Sequence, residues 1–383
     1  MKNNLQIVER RYWVNRIESA WHERNLIWLS GVRRSGKTVL CQSLKKVEYF
    51  DCELPRVRRQ MIDPEEFIGS LKGRRIALDE IHRLDNPSEI LKIAADHFPE
   101  TKVIATGSST LGASAKFKDT LAGRKRDIWL SPMILEDWEA FENFGWDHRF
   151  IRGGLPPFYL AKRYPERDYQ EWMDAYWAKD IQELFRVERR ASFFRFFELL
   201  VQQSGGIFRA SSLAGPVGAS RPTLSNYLQI LNETYVFFVL KPFFKYRTKE
   251  IISAPKVYCF DTGFVVYERG WSEIREEDRG LLWEHFVLNQ LCAHGWKNRL
   301  RYWRDKQKRE VDFVLLRRGK PPCAIETKWR ADPGDTGNLY AFHRSHPEAD
   351  KVILAHDVDR TFTRNIKGMP VHFMNLPALV KWL

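Results

Sequence analysis

Gly31-Val32-Arg33-Arg34-Ser35-Gly36-Lys37-Thr38 meets every fixed position of the phosphate-loop spacing G-x-x-x-x-G-K-[ST]. The chemistry dictates the spacing. Two glycines let the loop turn its backbone N–H groups inward around a β-phosphate. The Lys37 ammonium can then reach β- and γ-oxygens, and the Thr38 hydroxyl can ligate Mg²⁺. Arg33, Arg34 and Ser35 lie within the same loop and are counted with the nucleotide contacts. The flanks give the loop its context. Asn25-Leu26-Ile27-Trp28-Leu29-Ser30 reads as a short buried strand, and Thr38 to Lys45 as a helix with Val39, Leu40 and Leu44 on one side. Strand, loop and helix is the order this motif requires.

The next segments add hydrolytic chemistry. Ile76-Ala77-Leu78-Asp79-Glu80 is an apolar strand ending in two carboxylates. Asp79 falls where a parallel strand delivers a ligand to the Mg²⁺ shell, and Glu80 where it could polarise the attacking water. The competing reading is a strand followed by an acidic helix cap. Lys102 to Ser109 is a third apolar strand ending in small hydroxyl residues. Ser108 or Thr106 either meets the γ-phosphate or its water, or caps the helix that follows. Arg124 precedes a fourth strand at Asp127-Ile128-Trp129-Leu130.

Length and charge set the wider frame. At 383 residues the chain can hold two to four domains, and its formal charge of +13 favours a polyanionic partner. Five dispersed cysteines without a C-x-x-C pair fit reduced thiols and a cytoplasmic setting, not a disulfide framework or a zinc site. The N-terminus lacks an apolar signal core and no run of about 18 apolar residues occurs, so no membrane partner is expected.

Beyond Ser131 the pattern turns helical, over Leu135–Phe144 and Tyr169–Phe185, with a loop at Gly153-Gly154-Leu155-Pro156-Pro157. A helical lid is expected here, with Arg152, Lys162 and Arg163 as basic candidates for sensing the γ-phosphate. Residues 191–250 read as a winged helix-turn-helix: one helix through Phe193, Phe197 and Leu200, a second near Ser211, a turn over Gly215–Ala219, and a third capped by Ser220. Its apolar face, Leu224, Tyr227, Leu228 and Leu231, leaves Arg221, Thr223, Ser225 and Asn226 outward at the position from which a recognition helix meets DNA. A strand over Tyr235–Leu240 and a basic wing carrying Lys241, Lys245, Arg247 and Lys249 follow. Intramolecular packing or protein contact is the alternative use of such a domain.

A second chemical constellation lies near the C-terminus. Glu284 sits on an amphipathic helix, Asp312 on the strand Arg309–Leu316, and Glu326 and Lys328 on the returning strand Pro322–Trp329. Alternation puts Glu326 and Lys328 on one face and Thr327 on the other. Asp312 and Glu326 could then share a divalent metal, with Lys328 beside its water, as metal-assisted phosphodiester hydrolysis requires. The bland alternative is a surface ion pair. Just upstream, Lys297, Arg299, Arg301, Arg304, Lys306, Lys308 and Arg309 surround Tyr302 and Trp303. Charge interleaved with aromatics fits nucleic-acid backbone contact, and a solvated hairpin face is the other reading.

Taken together, Gly31–Thr38, Leu78-Asp79-Glu80, Thr106-Gly107-Ser108-Ser109, Leu121-Ala122-Gly123-Arg124 and Gly153-Gly154-Leu155-Pro156 resemble the AAA-like ATPases of bacteria and archaea that carry a C-terminal domain of unknown function. In that family the C-terminal part looks like a winged helix followed by a PD-(D/E)XK nuclease fold, which Pro255 to Gly263 would enter here. Val311 stands where the superfamily name has Pro. The resemblance implies an α/β fold: a P-loop parallel-sheet ATPase core (1–133), a helical lid (134–190), a winged helix-turn-helix (191–250) and an α/β nuclease-like domain (251–383). It implies ATP and Mg²⁺ as cofactors. Lys37, Thr38, Asp79 and Glu80 would work at the nucleotide, and Glu284, Asp312, Glu326 and Lys328 at the nuclease-fold positions. Arg124 matches a subunit-bridging arginine finger, which would require a homo-oligomer, or else is a basic turn. The expected function is ATP hydrolysis coupled to action on DNA. The alternative is an ATP-gated DNA- or protein-binding switch with an inactive nuclease-like domain.

Overall fold

The computed structural model describes residues 8–107, 115–182, 185, 187, 189–244, 253–332 and 334–383. Ser108 and the wing cations Lys245, Arg247 and Lys249 lie outside them. The chain divides into two compact units. The first comprises 1–145, 154–188 and 229–236, and the second 146–153, 189–228 and 237–383.

The first unit is built on a parallel sheet of order β2-β3-β4-β1-β5. Its strands are β1 (Leu26–Ser30), β2 (Val47–Asp51), β3 (Arg75–Asp79), β4 (Lys102–Thr106) and β5 (Lys125–Trp129). Strand β1 is buried along its whole length. That is why it reads as a continuous apolar run: a central parallel strand is covered on both faces. Helices α1 (Arg11–Glu23), α2 (Lys37–Ser43), α3 (Pro87–His97) and α4 (Ala115–Thr120) belong to this unit. In α1 the buried residues Trp13, Ile17, Ala20 and Trp21 recur at helical spacing. Leu26, Trp28, Ile76, Leu78, Val103 and Ala105 from the sheet share one core with Ile90, Leu91 and Ala94 of α3. Helix α5 (Glu166–Tyr176) runs directly into a π-helical stretch, Trp177–Gln182. Strand β2 carries no apolar run and is not apparent in the sequence; its residues are only half buried.

The second unit holds two sheets. The smaller has order β6-β8-β7, from Gly206–Ile207, Lys256–Cys259 and Phe237–Leu240 for β6, β8 and β7. Around it stand α6 (Arg190–Gln202), α7 (Ala210–Val217), α8 (Arg221–Glu233, of which Gln229 onward groups with the first unit) and α9 (Thr262–Glu268). Two expectations are corrected here. Helix α7 continues through Gly215 and Pro216 to Val217, so the turn before α8 is only Gly218–Ser220. The boundary expected at 250 falls inside a sheet, since β8 pairs with both β6 and β7. The expected lid is also interrupted: the helix Trp146–Arg152 groups with the second unit.

The larger sheet has order β13-β14-β12-β11-β10-β9. Its strands are β9 (Leu300–Arg304), β10 (Glu310–Leu315), β11 (Cys323–Lys328), β12 (Asp350–Ala355), β13 (Phe362–Ile366) and β14 (Met369–Met374), with α10 (Glu276–Ala293), α11 (Gly337–Ser345) and α12 (Leu376–Trp382). The antiparallel ladder of β10 and β11 starts with Phe313 opposite Ile325, and Asp312 and Glu326 adjoin that pair. Against β9 the register of β10 slips between Val311 and Val314. Such a bulge re-aims the side chains beside it.

Candidate functional site

The candidate nucleotide site grows from the carboxyl ends of the parallel strands. Strand β1 ends at Ser30, and residues 31–36 turn the chain into α2. The two glycines serve different needs. Gly36 has φ +95°, in the left-handed region, while a Cβ at Gly31 would lie 2.7 Å from the Leu130 carbonyl oxygen. Behind the loop sits buried Arg10. Its guanidinium clasps Asp137 through two bonds of 3.0 and 2.6 Å and donates to the Ser35 carbonyl at 3.1 Å. Sequence reasoning missed this buttress, and no local pattern marks partners so far apart in the chain. Ser35 Oγ is buried and has no hydrogen-bond partner among the described residues.

The acid at the end of β3 is held by three hydroxyls. Thr38 Oγ1 donates to Asp79 Oδ2 at 2.7 Å, and Tyr49 of β2 donates to the same oxygen at 2.6 Å. Thr106 at the end of β4 donates to Asp79 Oδ1 and accepts from the Glu80 backbone N–H at 3.1 Å. Thr106 is fully buried. It therefore fixes the two acids and does not face the phosphates, which corrects one of its two expected roles. Glu80 itself adopts φ 52° and ψ 43°, a left-handed conformation that costs a non-glycine residue about 1–2 kcal/mol. Burial pushes the Glu80 carboxyl up, but the hydrogen bond from His82 and the Lys37 charge outweigh it and hold the group below its ordinary value.

The lysine and arginines of the loop are engaged. Lys37 Nζ donates to the Gly31 and Val32 carbonyls at 2.9 and 3.2 Å. Burial lowers its pKa, against the opposing pull of Glu80, Asp180 and Asp79. Arg33 bonds Asp180 in the π-helical stretch. Arg34 bonds Asp168 at 2.8 Å, and Trp172 Nε1 donates to the Arg33 carbonyl at 3.0 Å. A cavity of about 430 Å³ lies over the loop, bordered by Lys37, Thr38, Glu80, His82, Trp172 and Asp180. Asp180 and Trp172 went unrecognised in the sequence, where they read as ordinary positions of a helical pattern.

Arg124 is not part of this group. It sits just before Lys125, which pairs with Leu26 at the start of β1, so it marks the sheet edge opposite the phosphate loop. Its Nε donates to Asp96 Oδ1 of α3 at 2.7 Å. Within one chain it cannot reach the phosphates.

In the second unit the four nuclease-fold candidates are brought near one another, yet each is occupied by a partner in its own chain. Glu284 Oε1 accepts from Lys256 Nζ at 2.7 Å and from the Tyr258 hydroxyl. Asp312 Oδ2 accepts from the backbone N–H and the hydroxyl of Thr327, both at 2.8 Å. Thr327 therefore does not turn away from Asp312 as strict alternation predicts; Asp312, beside the β10 bulge, reaches across to it. Glu326 Oε1 accepts from Asn338 at 3.1 Å and lies 3.3 Å from Lys328 Nζ, which also meets Asp335 at 2.5 Å. Burial, then the Asp312 charge, pushes Glu326 up to about 8 and Glu284 to about 7. Among the described residues no group of three or more His, Cys, Asp or Glu side chains has the arrangement of a metal site.

The basic segment differs from expectation in a similar way. Tyr302 and Trp303 are buried, the latter packed on Phe342, so neither is available to stack on a base. Arg304 pairs with Glu310 at 3.0 Å and Arg309 with Asp305, while Lys297 lies over the Phe238 ring. Arg301 donates to the Asn298 and Leu300 carbonyls. At the start of α8, Arg221, Ser225 and Asn226 are exposed, as expected. Thr223 instead closes the cap: Ser220 Oγ accepts from its N–H at 3.2 Å and meets its hydroxyl at 2.8 Å.

Comparison with known proteins agrees on the first unit. Residues 23–138 match the family model described as AAA domain. Residues 143–275 and 279–377 match two models described as domains of unknown function, DUF8612 and DUF4143. The first of these crosses the boundaries expected at 190 and 250. An uncharacterized protein of Mycobacterium tuberculosis is 29% identical over 330 residues, 83% of this chain and 74% of its own length. One from Methanocaldococcus jannaschii is 24% identical over 354 residues, covering 83% and 78%. Among solved structures, a Walker-type ATPase of Pyrococcus abyssi aligns over 68% of this chain and 96% of its own, at 16% identity and TM-score 0.44. The phosphate-loop spacing and the parallel sheet of the first unit thus fall within the stretch that is similar to AAA domains. Among the described residues no helix is long and apolar enough to cross a membrane.

Proposed function

We propose that this protein binds and hydrolyses ATP with Mg²⁺. One observation carries the reading: Thr38 Oγ1 and the Asp79 carboxylate meet at 2.7 Å, with Thr106 and Tyr49 fixing the acid and Glu80 next to it in the chain. Hydroxyl and carboxylate are the hard oxygen donors Mg²⁺ takes, and two protein ligands leave room for phosphate oxygens and water. Bound there, the ion would spread the charge of the transferring phosphoryl group. Lys37 would leave its own loop carbonyls for the phosphates, and Glu80 would orient the attacking water. Beside the loop lies an apolar cavity of about 330 Å³ lined by Val8, Val39, Leu40, Phe141, Pro156 and Leu160. Gly36 and Val39 border both cavities, so a flat base there would place its phosphates at the loop. Lys37→Ala should weaken ATP binding and abolish turnover. Glu80→Gln should retain binding and lower turnover about 10²- to 10⁴-fold. A steady-state phosphate-release assay beside a nucleotide titration tests both, and wild-type hydrolysis rates in either variant would refute the assignment.

We further infer DNA as the polyanionic partner. The order helix, strand, helix, helix, strand, strand over α6, β6, α7, α8, β7 and β8 supports a winged helix-turn-helix, with Arg221, Ser225 and Asn226 outward on α8. The formal charge of +13 agrees with it. The five cysteines are buried free thiols, in keeping with a reducing cytoplasmic setting. If Arg124 acts as a finger, it does so in a neighbouring subunit of a homo-oligomer. Metal-dependent cleavage by the second unit is the less supported reading. The engaged state of Glu284, Asp312, Glu326 and Lys328 favours the alternative, an ATP-gated binding switch whose nuclease-like site is silent.

A further inference from the structure

Lys256 lies on β8, in the middle of the small sheet, and is 2% exposed. A lysine so deeply buried is uncommon unless it is paired. Its ammonium lies 2.7 Å from Glu284 Oε1 on α10, 2.7 Å from Glu310 Oε1 and 3.8 Å from Asp312 Oδ1 on β10. Tyr258, two residues along the same strand and hence on the same face, donates to the Glu284 oxygen that Lys256 holds. Two carboxylate oxygens at 2.7 Å give the buried ammonium its counter-charges. Arg304 supplies a second positive charge, to Glu310 at 3.0 Å. Glu326 Oε2 is buried with no hydrogen-bond partner among the described residues.

We propose that Lys256 is a tethered cation: its ammonium fills the point on which the Glu284, Glu310 and Asp312 carboxylates converge, so the cluster is held together without metal. Three carboxylates around one buried point repel one another and require a positive charge there. A lysine carried by the adjoining strand supplies it permanently, at no cost in recruiting an ion. It also sterically denies the position to Mg²⁺ or Mn²⁺. The inference does not depend on the ATP reading, since every residue in it belongs to the second unit.

The test uses full-length, nucleotide-free protein and Mn²⁺ alone, counting bound ion by paramagnetic resonance of the free ion. Lys256→Met removes the charge and keeps the bulk. It should bind one more Mn²⁺ per chain than wild type, and Mn²⁺ should raise its melting temperature by several degrees while leaving wild type nearly unmoved. Lys256→Met/Glu310→Gln relieves the repulsion differently; it should fold without Mn²⁺ and lose the added ion. In an otherwise unaltered chain, Glu284→Gln and Asp312→Asn should leave the Mn²⁺ count unchanged. Loss of a bound ion in either of these two would overturn the proposal, because the carboxylates would then hold metal beside Lys256. Equal Mn²⁺ counts in Lys256→Met and wild type would overturn it too. If Lys256→Met cannot be purified, the Lys256→Met/Glu310→Gln chain and the two carboxylate variants decide.

Discussion

Asp180→Asn should tighten ATP binding. Asp180 is almost fully buried at the edge of the nucleotide cavity, where it ties down Arg33. ATP brings several negative charges into the same space. Two unit charges about 6 Å apart at an effective dielectric near 20 repel by about 3 kcal/mol. Arg33, about one-third exposed, cancels part of that, so about 1–2 kcal/mol remains. That corresponds to roughly 5- to 30-fold in Kd. Freeing Arg33 to meet the phosphates acts in the same direction. The assay is calorimetric titration with Mg-ATP and Mg-ADP, and the gain should be larger for ATP, which carries the additional charge. A pH series gives an independent check. Burial, partly offset by Arg33, raises the Asp180 pKa above the ordinary carboxylate value. As pH falls through that raised value, the wild-type carboxyl neutralises and its ATP affinity should climb toward that of Asp180→Asn, whose own profile should be flatter. The same raised pKa makes the native state the better proton acceptor. The stability that follows is present below the unfolded pKa and is lost as pH rises through the folded one. Unchanged or weaker ATP binding by Asp180→Asn would refute the reasoning and make the acid a supporting element of the loop.

Thr106→Val keeps shape but deletes the hydroxyl that bonds Asp79 and the Glu80 N–H. Leaving a buried N–H unmet costs about 1–3 kcal/mol; a melting curve should show it, and hydrolysis should demand more Mg²⁺. If Arg124 works across subunits, mixing Arg124→Ala with Lys37→Ala chains should restore phosphate release that neither shows alone; no rescue would leave it as the surface partner of Asp96. For DNA, about five neutralised phosphates would give a slope of log affinity on log salt of roughly −4 to −5, and Arg221→Ala should flatten it by about one unit. Binding indifferent to salt would assign α8 to protein contact.

The candidate nucleotide site was legible because its residues are concentrated in contiguous stretches. Gly31 to Thr38 and Asp79-Glu80 announce themselves by spacing and by strand ends. Residues that hold them in place do not. Arg10 and Asp137 are 127 positions apart and look like surface charges until the fold joins them. The run 297–309 misled for the opposite reason. Its cations and aromatics read as one exposed face, whereas Tyr302 and Trp303 go into the core and several cations find carboxylates within the chain. Strand β8 reads as the start of a new domain because Pro255 to Gly263 resembles the family's entry into one; its hydrogen bonds to β6 and β7 are non-local and leave no trace in periodicity. Asp312 escaped alternation because one bulge shifts the register.

The buried thiols make the chain its own reporter of local opening. Cys41 and Cys52 lie in the first unit, and Cys259, Cys292 and Cys323 in the second, all shielded from solvent. Burial pushes Cys52, Cys292 and Cys323 up to about 12, so little thiolate exists at neutral pH. Alkylation therefore waits on fluctuations that expose the sulfur, and the modification rate measures how often each region breathes. Cys41 lies on α2 directly behind the phosphate loop. A nucleotide that clamps the loop would slow its labelling while leaving the three thiols of the second unit as an internal clock, read site by site in a single mass spectrum.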